Sequence, residues 1–195
     1  MRFIAPIVEG HGEAEAVPVL LQRMAQGMNP ASGLRVNPPI RVRAGSFIRD
    51  RAYFDRYVAL AAAKAAQAQG SVLILLDCED HCPATLGPRL LADALQVRKD
   101  VHIIVALAYR EFETWFVTAA HSLRGMRGLP PDLRAPAAPE RIRDAKGWLG
   151  SRMQMPYDPV IHQCEFVRRF DIAEACASRS FRRLYERISA TIVQA

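Results

Sequence analysis

Val72-Leu73-Ile74-Leu75-Leu76-Asp77-Cys78-Glu79-Asp80 decides how the rest of this chain is read. Five aliphatic residues in succession, with no polar alternation, predict a strand buried on both faces. That is the pattern of a parallel sheet covered by helices. The run closes on three acidic residues, Asp77, Glu79 and Asp80. In open α/β sheets, ligands bind in the crevice beyond the carboxyl ends of the strands. Carboxylates crowded there repel one another unless protons or a cation compensate. Mg²⁺ (or Mn²⁺) is the natural compensator, because such an ion takes one or two carboxylates plus substrate phosphates.

Outward from this strand the chain alternates. Arg2 to Val8 predicts a first strand, followed by a tight turn at Gly10-His11-Gly12. A helix then carries Val17, Leu20, Leu21, Met24 and Met28 on one face. Ile40 to Ala44 predicts a second strand, and residues 50–69 a helix with Asp50 as its N-cap and Gly70 as its stop. After the third strand, Val72–Leu76, a loop is expected from Pro83 to Pro88 and a helix from Arg89 to Val97. Val101 to Leu107 predicts the fourth strand. Four strands separated by helices imply an α/β fold: a parallel four-stranded sheet flanked by helices, with right-handed crossovers. Beyond it, helices are expected at Glu111–Ala120, 140–149, 159–170, 172–177 and 181–193, with a loop rich in proline and glycine at 125–139. The expected division is an α/β domain over 1–122 and a helical extension over 123–195, packed on it or forming one unit with it.

The bulk composition narrows the classes. With 195 residues, half of them hydrophobic, the chain has ample core for one domain. No run of about 18 apolar residues occurs, so no membrane span is expected. The short apolar start is broken by Glu9, which argues against a signal peptide. Four cysteines without framework spacing fit reduced thiols and a cytoplasmic protein. The net charge is +6. Residues 141–195 hold 10 basic and 6 acidic side chains, so +4 of that charge lies in the last quarter. That excess fits a polyanion partner or a solvated arginine-rich face equally well.

Val8-Glu9-Gly10-His11-Gly12-Glu13 forms a second acidic element, just past the first strand. Parallel strands deliver their carboxyl ends to one edge, so Glu9 and the Asp77–Asp80 cluster are expected to face one cleft. Acidic residues are also common in turns and first helical turns, where Glu13 and Glu15 suit the helix dipole. Glu111 and Glu113, after the fourth strand, either extend that site or hold Lys and Arg of the later helices. Lys146 is a phosphate contact or an ordinary surface lysine. Cys78, His81 and Cys82, with His162 and Cys164, are spaced too irregularly for a zinc site to be favoured. The G-x-G at Gly10 and Gly12 is not completed, and no phosphate-binding P-loop motif occurs.

Strand–Glu9-Gly10-x-x-Glu13, followed by strand–Asp77-x-Glu79-Asp80, resembles the TOPRIM domain of topoisomerases, primases and overcoming-lysogenization-defect nucleases. Asp80-His81-Cys82-Pro83, Glu111-Phe112-Glu113-Thr114-Trp115-Phe116, Lys146 and Arg179-Ser180-Phe181-Arg182-Arg183-Leu184 narrow this to a resemblance with a bacterial TOPRIM-like family, the domain of unknown function 4276 family. The resemblance implies Mg²⁺-dependent hydrolysis of nucleic-acid phosphodiesters. Glu9 would be the general acid/base, with Glu13 and Lys146 beside it as candidate catalytic residues. The metal set would be drawn from Glu9, Asp77, Glu79 and Asp80. Glu79 replaces the second aspartate of the usual Asp-x-Asp, so either Glu79 or Asp80 is the inward one. Arg179, Arg182 and Arg183 would contact the nucleic-acid backbone. The resemblance also implies a partner ATPase in a mobile-element or phage-defence module. A non-catalytic subunit that docks on an ATPase, or on another copy of itself, is the alternative.

Overall fold

The aliphatic run becomes β4 (Ser71–Asp77), the centre of a parallel sheet. A computed structural model describes residues 2–30 and 33–193. β4 pairs on one side with β1 (Arg2–Val8) and on the other with β5 (His102–Ala108). β1 is paired in turn by β2 (Leu34–Val36) and, further along, by β3 (Ile40–Arg41). All pairings are parallel. The sheet therefore has five strands where four were expected. Asn37-Pro38-Pro39 divides the segment beside β1 into two, because proline has no N–H to give to a ladder.

Alternate residues of each strand enter opposite hydrophobic layers. Ala5, Ile7, Val72, Ile74, Leu76, Val105 and Leu107 pack under α2 (Ala44–Arg49), α3 (Arg51–Gln67) and α4 (Pro83–Val97). Asp50 caps α3, its side chain accepting from the Tyr53 N–H at 3.1 Å. The expected loop at Pro83–Pro88 is helical instead. Pro83 sits at the first helical position, where its missing N–H costs nothing. Pro88 is tolerated in the second turn because Leu86, Leu90 and Ala94 bury one continuous face below it.

On the opposite layer, Ile4, Val8, Leu73, Leu75, Ile104 and Ala106 meet α1 (His11–Met28), α5 (Thr114–Thr118), α7 (Pro159–Arg169) and α9 (Arg179–Val193). The short helices α6 (Ala145–Gly150) and α8 (Ile172–Ala175) complete the chain. The helices expected at 111–120 and 140–149 are shorter than predicted. In each, an isolated 3₁₀ turn, Ala120–Leu123 or Pro139–Arg141, takes part of the span. Among the described residues no helix is long and apolar enough to cross a membrane.

The winding of the sheet sets where ligands enter. From β1 the chain crosses to β2 and β3 on one side. After α3 it returns to the other side of β1 to form β4. The direction reverses between β1 and β4, and a crevice opens there at the carboxyl ends. Glu9 and Asp77 stand at those two ends.

Phe116 joins the two halves of the chain. It is fully buried and meets the rings of Phe112, Phe166 and Phe170 with centroids 5.5–5.7 Å away. Phe116→Ala is expected to destabilise the protein by about 3–5 kcal/mol. Urea denaturation should show this as a lower midpoint with an unchanged slope.

Candidate active site

Gly10 allows the chain to turn from β1 into α1 with Glu9 and Glu13 close together. A side chain on Gly10 would run into the Glu13 carboxylate. Glu13 lies in the first turn of α1 and is buried. Its Oε1 accepts from Gln163 Nε2 at 3.3 Å, while its Oε2 is buried without a partner. Glu9 Oε2 is buried and unpartnered as well. Burial, then the neighbouring charges of Glu13 and Glu79, push the Glu9 pKa above the ordinary carboxylate range.

Asp77 is the last residue of β4, with its side chain 12 % exposed. Burial, and then the charges of Glu113 and Glu13, hold its pKa well above the usual value. Lys146 reaches into the cluster from α6. Its Nζ lies 3.4 Å from Glu111 Oε1, 3.7 Å from Glu113 Oε2 and 3.9 Å from Asp77 Oδ2. Burial alone would favour the neutral amine. Glu113, Asp77 and Glu111 outweigh it and keep the lysine pKa above its ordinary value.

Two glutamates that sequence reading left open thus act as holders of Lys146. Glu111 Oε2 also accepts the N–H groups of Ala145 and Lys146, at 2.7 and 3.1 Å, and so fixes the start of α6. Glu113 is fully buried. Its Oε1 accepts from Gln163 Nε2 at 2.8 Å and from the Tyr157 hydroxyl at 3.0 Å. Burial raises the pKa of Glu113, and burial with the Glu113 charge raises that of Tyr157. Tyr157 and Gln163 carry no recognisable sequence signal, because their partner lies 44 and 50 positions away.

The structure separates Glu79 from Asp80. Glu79 adopts a left-handed backbone (φ 46°), and its charge acts on Glu9. Asp80 faces a different set of charges. Its Oδ1 accepts from Arg143 Nη2 at 2.8 Å and from Arg110 Nη1 at 3.2 Å. Those arginines, Arg143 first, lower its pKa. Asp80 is therefore an arginine partner at the rim rather than a member of the inner acidic set. The Cys78 side chain is buried in the layer beneath α4 and accepts from the Arg110 N–H at 3.2 Å. His162 is buried against Tyr157 and Phe166 on α7, while His81 and Cys82 are exposed at the start of α4. The cysteines and histidines do not assemble.

Five carboxylates, Glu9, Glu13, Asp77, Glu111 and Glu113, stand around one ammonium. Negative charge exceeds positive, and burial raises the Glu9, Asp77 and Glu113 pKa values above the ordinary carboxylate range. Among the described residues, no three His, Cys, Asp or Glu side chains already surround a point at metal-binding distances. The donor chemistry nonetheless suits a hard divalent ion: all donors are carboxylate oxygens, and Glu9 and Glu13 each keep one buried oxygen without a hydrogen bond.

Fold and crevice together define a doubly wound α/β protein with an acidic pocket at its switch point. The chain belongs to the family described as Domain of unknown function (DUF4276), which it matches over residues 8–189. No curated protein and no solved structure matches it.

The raised Asp77 pKa has a consequence for stability. The folded state holds the Asp77 proton more tightly than the unfolded chain, whose carboxylates titrate near pH 4. Stability is therefore lost as pH rises from about 4 through the folded pKa, and the penalty is fully present above it. Asp77→Asn removes it. In metal-free buffer near pH 7.5 this variant should melt above the wild type, by about 2–4 °C for each kcal/mol relieved. The difference should shrink as the pH is lowered toward about 4. Thermal melts across that range measure it.

Proposed function

We propose that the crevice is a TOPRIM-type site that hydrolyses nucleic-acid phosphodiesters with Mg²⁺ or Mn²⁺. The observation that carries this reading is the pairing of Glu9 and Asp77 at adjacent strand ends, inside a carboxylate cluster whose charge Lys146 only partly offsets. Glu9 and Asp77 would hold the ion, with Glu79 at the rim. The ion would neutralise phosphate charge and activate a water molecule.

The chain's own groups take the remaining roles. Glu9, with its raised pKa, holds or releases a proton closer to neutrality than a free glutamate does, as a general acid or base must. Lys146 stays charged through its carboxylate partners and can meet a phosphate oxygen as a point charge. Glu13 is fixed by Gln163, and its charge is one of the causes that raise the Glu9 pKa. A partner ATPase and a defence setting are the context that the TOPRIM resemblance implies.

Purified protein incubated with plasmid, single-stranded DNA and RNA, with and without Mg²⁺ or Mn²⁺, tests the assignment. Cleavage should need the ion and should fall by about 100-fold or more in Glu9→Gln and Asp77→Asn. Asp80→Asn should keep it. Metal-dependent cleavage unchanged in both crevice variants would overturn the site.

One observation favours the alternative, a non-catalytic subunit: an ammonium already stands among Asp77, Glu111 and Glu113. Calorimetric titration with Mn²⁺ separates the two. Saturable binding that is lost in Asp77→Asn supports the enzyme, and no binding supports the subunit.

A further inference from the structure

A second concavity, of about 690 Å³, runs along the free edge of β5. Its floor is apolar and includes Leu107, Tyr109 and Pro83. Its wall is cationic. Arg179, Arg183 and Arg187 recur every fourth residue of α9 and so share one helix face. Arg141 adds a fourth guanidinium from the 3₁₀ turn at Pro139–Arg141.

None of these four arginines forms a salt bridge among the described residues. Glu140, the carboxylate lining the same space, is engaged elsewhere. It caps α9, accepting from the Ser178 hydroxyl at 2.9 Å and the Arg179 N–H at 2.8 Å. Arg187 donates to the Val105 carbonyl on the strand edge, and its pKa is lowered by burial and then by the Arg183 charge. Four cations without a salt bridge among the described residues, around an apolar floor, match a ligand that has anionic groups and flat apolar rings.

The cavity adjoins the acidic crevice. Three separate segments lead from one to the other within five residues: Asp77 to Cys82, Tyr109 to Glu111, and Arg141 to Lys146. Arg110 and Arg143, on two of these segments, meet at Asp80 on the third. The Arg110 guanidinium also lies over the Tyr109 ring, 5.5 Å from its centroid. Two guanidiniums, bridged by Asp80, thus lie on the segments that connect the two sites. The volume lies within the roughly 300–1,000 Å³ of small-ligand pockets. A volume of that size can enclose one or two nucleotides and cannot enclose a duplex.

We propose that this cavity holds single-stranded nucleic acid, the strand presented to the acidic crevice, with phosphates along Arg141, Arg179, Arg183 and Arg187 and a base on Tyr109. The inference rests on the nuclease reading and deepens it, naming a single strand or frayed end as substrate. It also revises the backbone contacts expected from sequence. Arg182 donates to the Cys176 carbonyl at 3.3 Å and does not line the cavity.

Fluorescence anisotropy of the full chain tests it, with labelled single-stranded DNA and RNA of about 12 nucleotides and the matching duplex. EDTA is present, so that binding is read without cleavage. A single strand should bind at least about tenfold more tightly than duplex. The double variant Arg179→Ala/Arg183→Ala should weaken single-strand binding about tenfold or more. It should also flatten the salt dependence by roughly 0.7 per lost phosphate contact. Tyr109→Ala should weaken it about tenfold with the salt slope unchanged. Arg168→Ala/Arg169→Ala, on the exposed side of α7, should bind as the wild type does. Absence of strand binding, equal binding of duplex, or full binding by the Arg179/Arg183 variant would overturn the inference. Metal-dependent cleavage could survive any of these results. Conversely, a strand bound in this cavity but never cleaved with any metal would overturn the nuclease reading alone.

Discussion

Repulsion among buried carboxylates is the constraint around which this protein is arranged. The sheet by itself brings Glu9 and Asp77 together, and α1 adds Glu13. None of these can be fully ionised side by side in a low-dielectric crevice without compensation. The compensation comes from the last third of the chain: the Lys146 ammonium, the Gln163 amide and the Tyr157 hydroxyl. The long packing of α7 along α1 therefore has an electrostatic component as well as a hydrophobic one. Gln163 is inserted between Glu13 and Glu113 and ties the two helices to α5.

Charge is also sorted by depth. The inner crevice is acidic, while the rim at Arg110 and Arg143 and the β5 edge are basic. Asp80 marks the boundary, since it points away from the inner carboxylates to Arg110 and Arg143. The two kinds of charge thus occupy different parts of the protein, the carboxylates inside the crevice and the guanidiniums at its border. A net charge of +6 conceals this division, because the two fields largely cancel in the sum.

Much of the frame was legible from residue order. The uninterrupted aliphatic run at 72–76 and the strand at 2–8 are recovered nearly residue for residue, because a strand buried on both faces leaves no room for polar residues. Asp50 reads correctly as a cap because its bond is local. What stayed hidden depends on partners distant in sequence. Asp80 is separated from the cluster by its bonds to Arg110 and Arg143, 30 and 63 positions away. Lys146 reads as either surface or site until α6 is placed by Glu111. Residues 83–88 read as a loop because Pro88 is unfavourable inside a helix, whereas Pro83 in fact opens one and the spacing of Leu86, Leu90 and Ala94 carries it past Pro88.

The long reach of the Tyr157 and Gln163 contacts has a consequence for how the protein is made. A ribosome delivers the chain from its N-terminus, and β1 to β5 are complete at residue 108, about fifty residues before Gln163. At about 5–20 residues per second, the last strand residue is made roughly 3–10 seconds before Gln163 is added. During that interval Glu13 and Glu113 lack the donors that hold them, and hydration by water must stand in for them. The crevice of a nascent chain therefore stays incomplete until synthesis has passed Gln163, well beyond the last strand of the sheet.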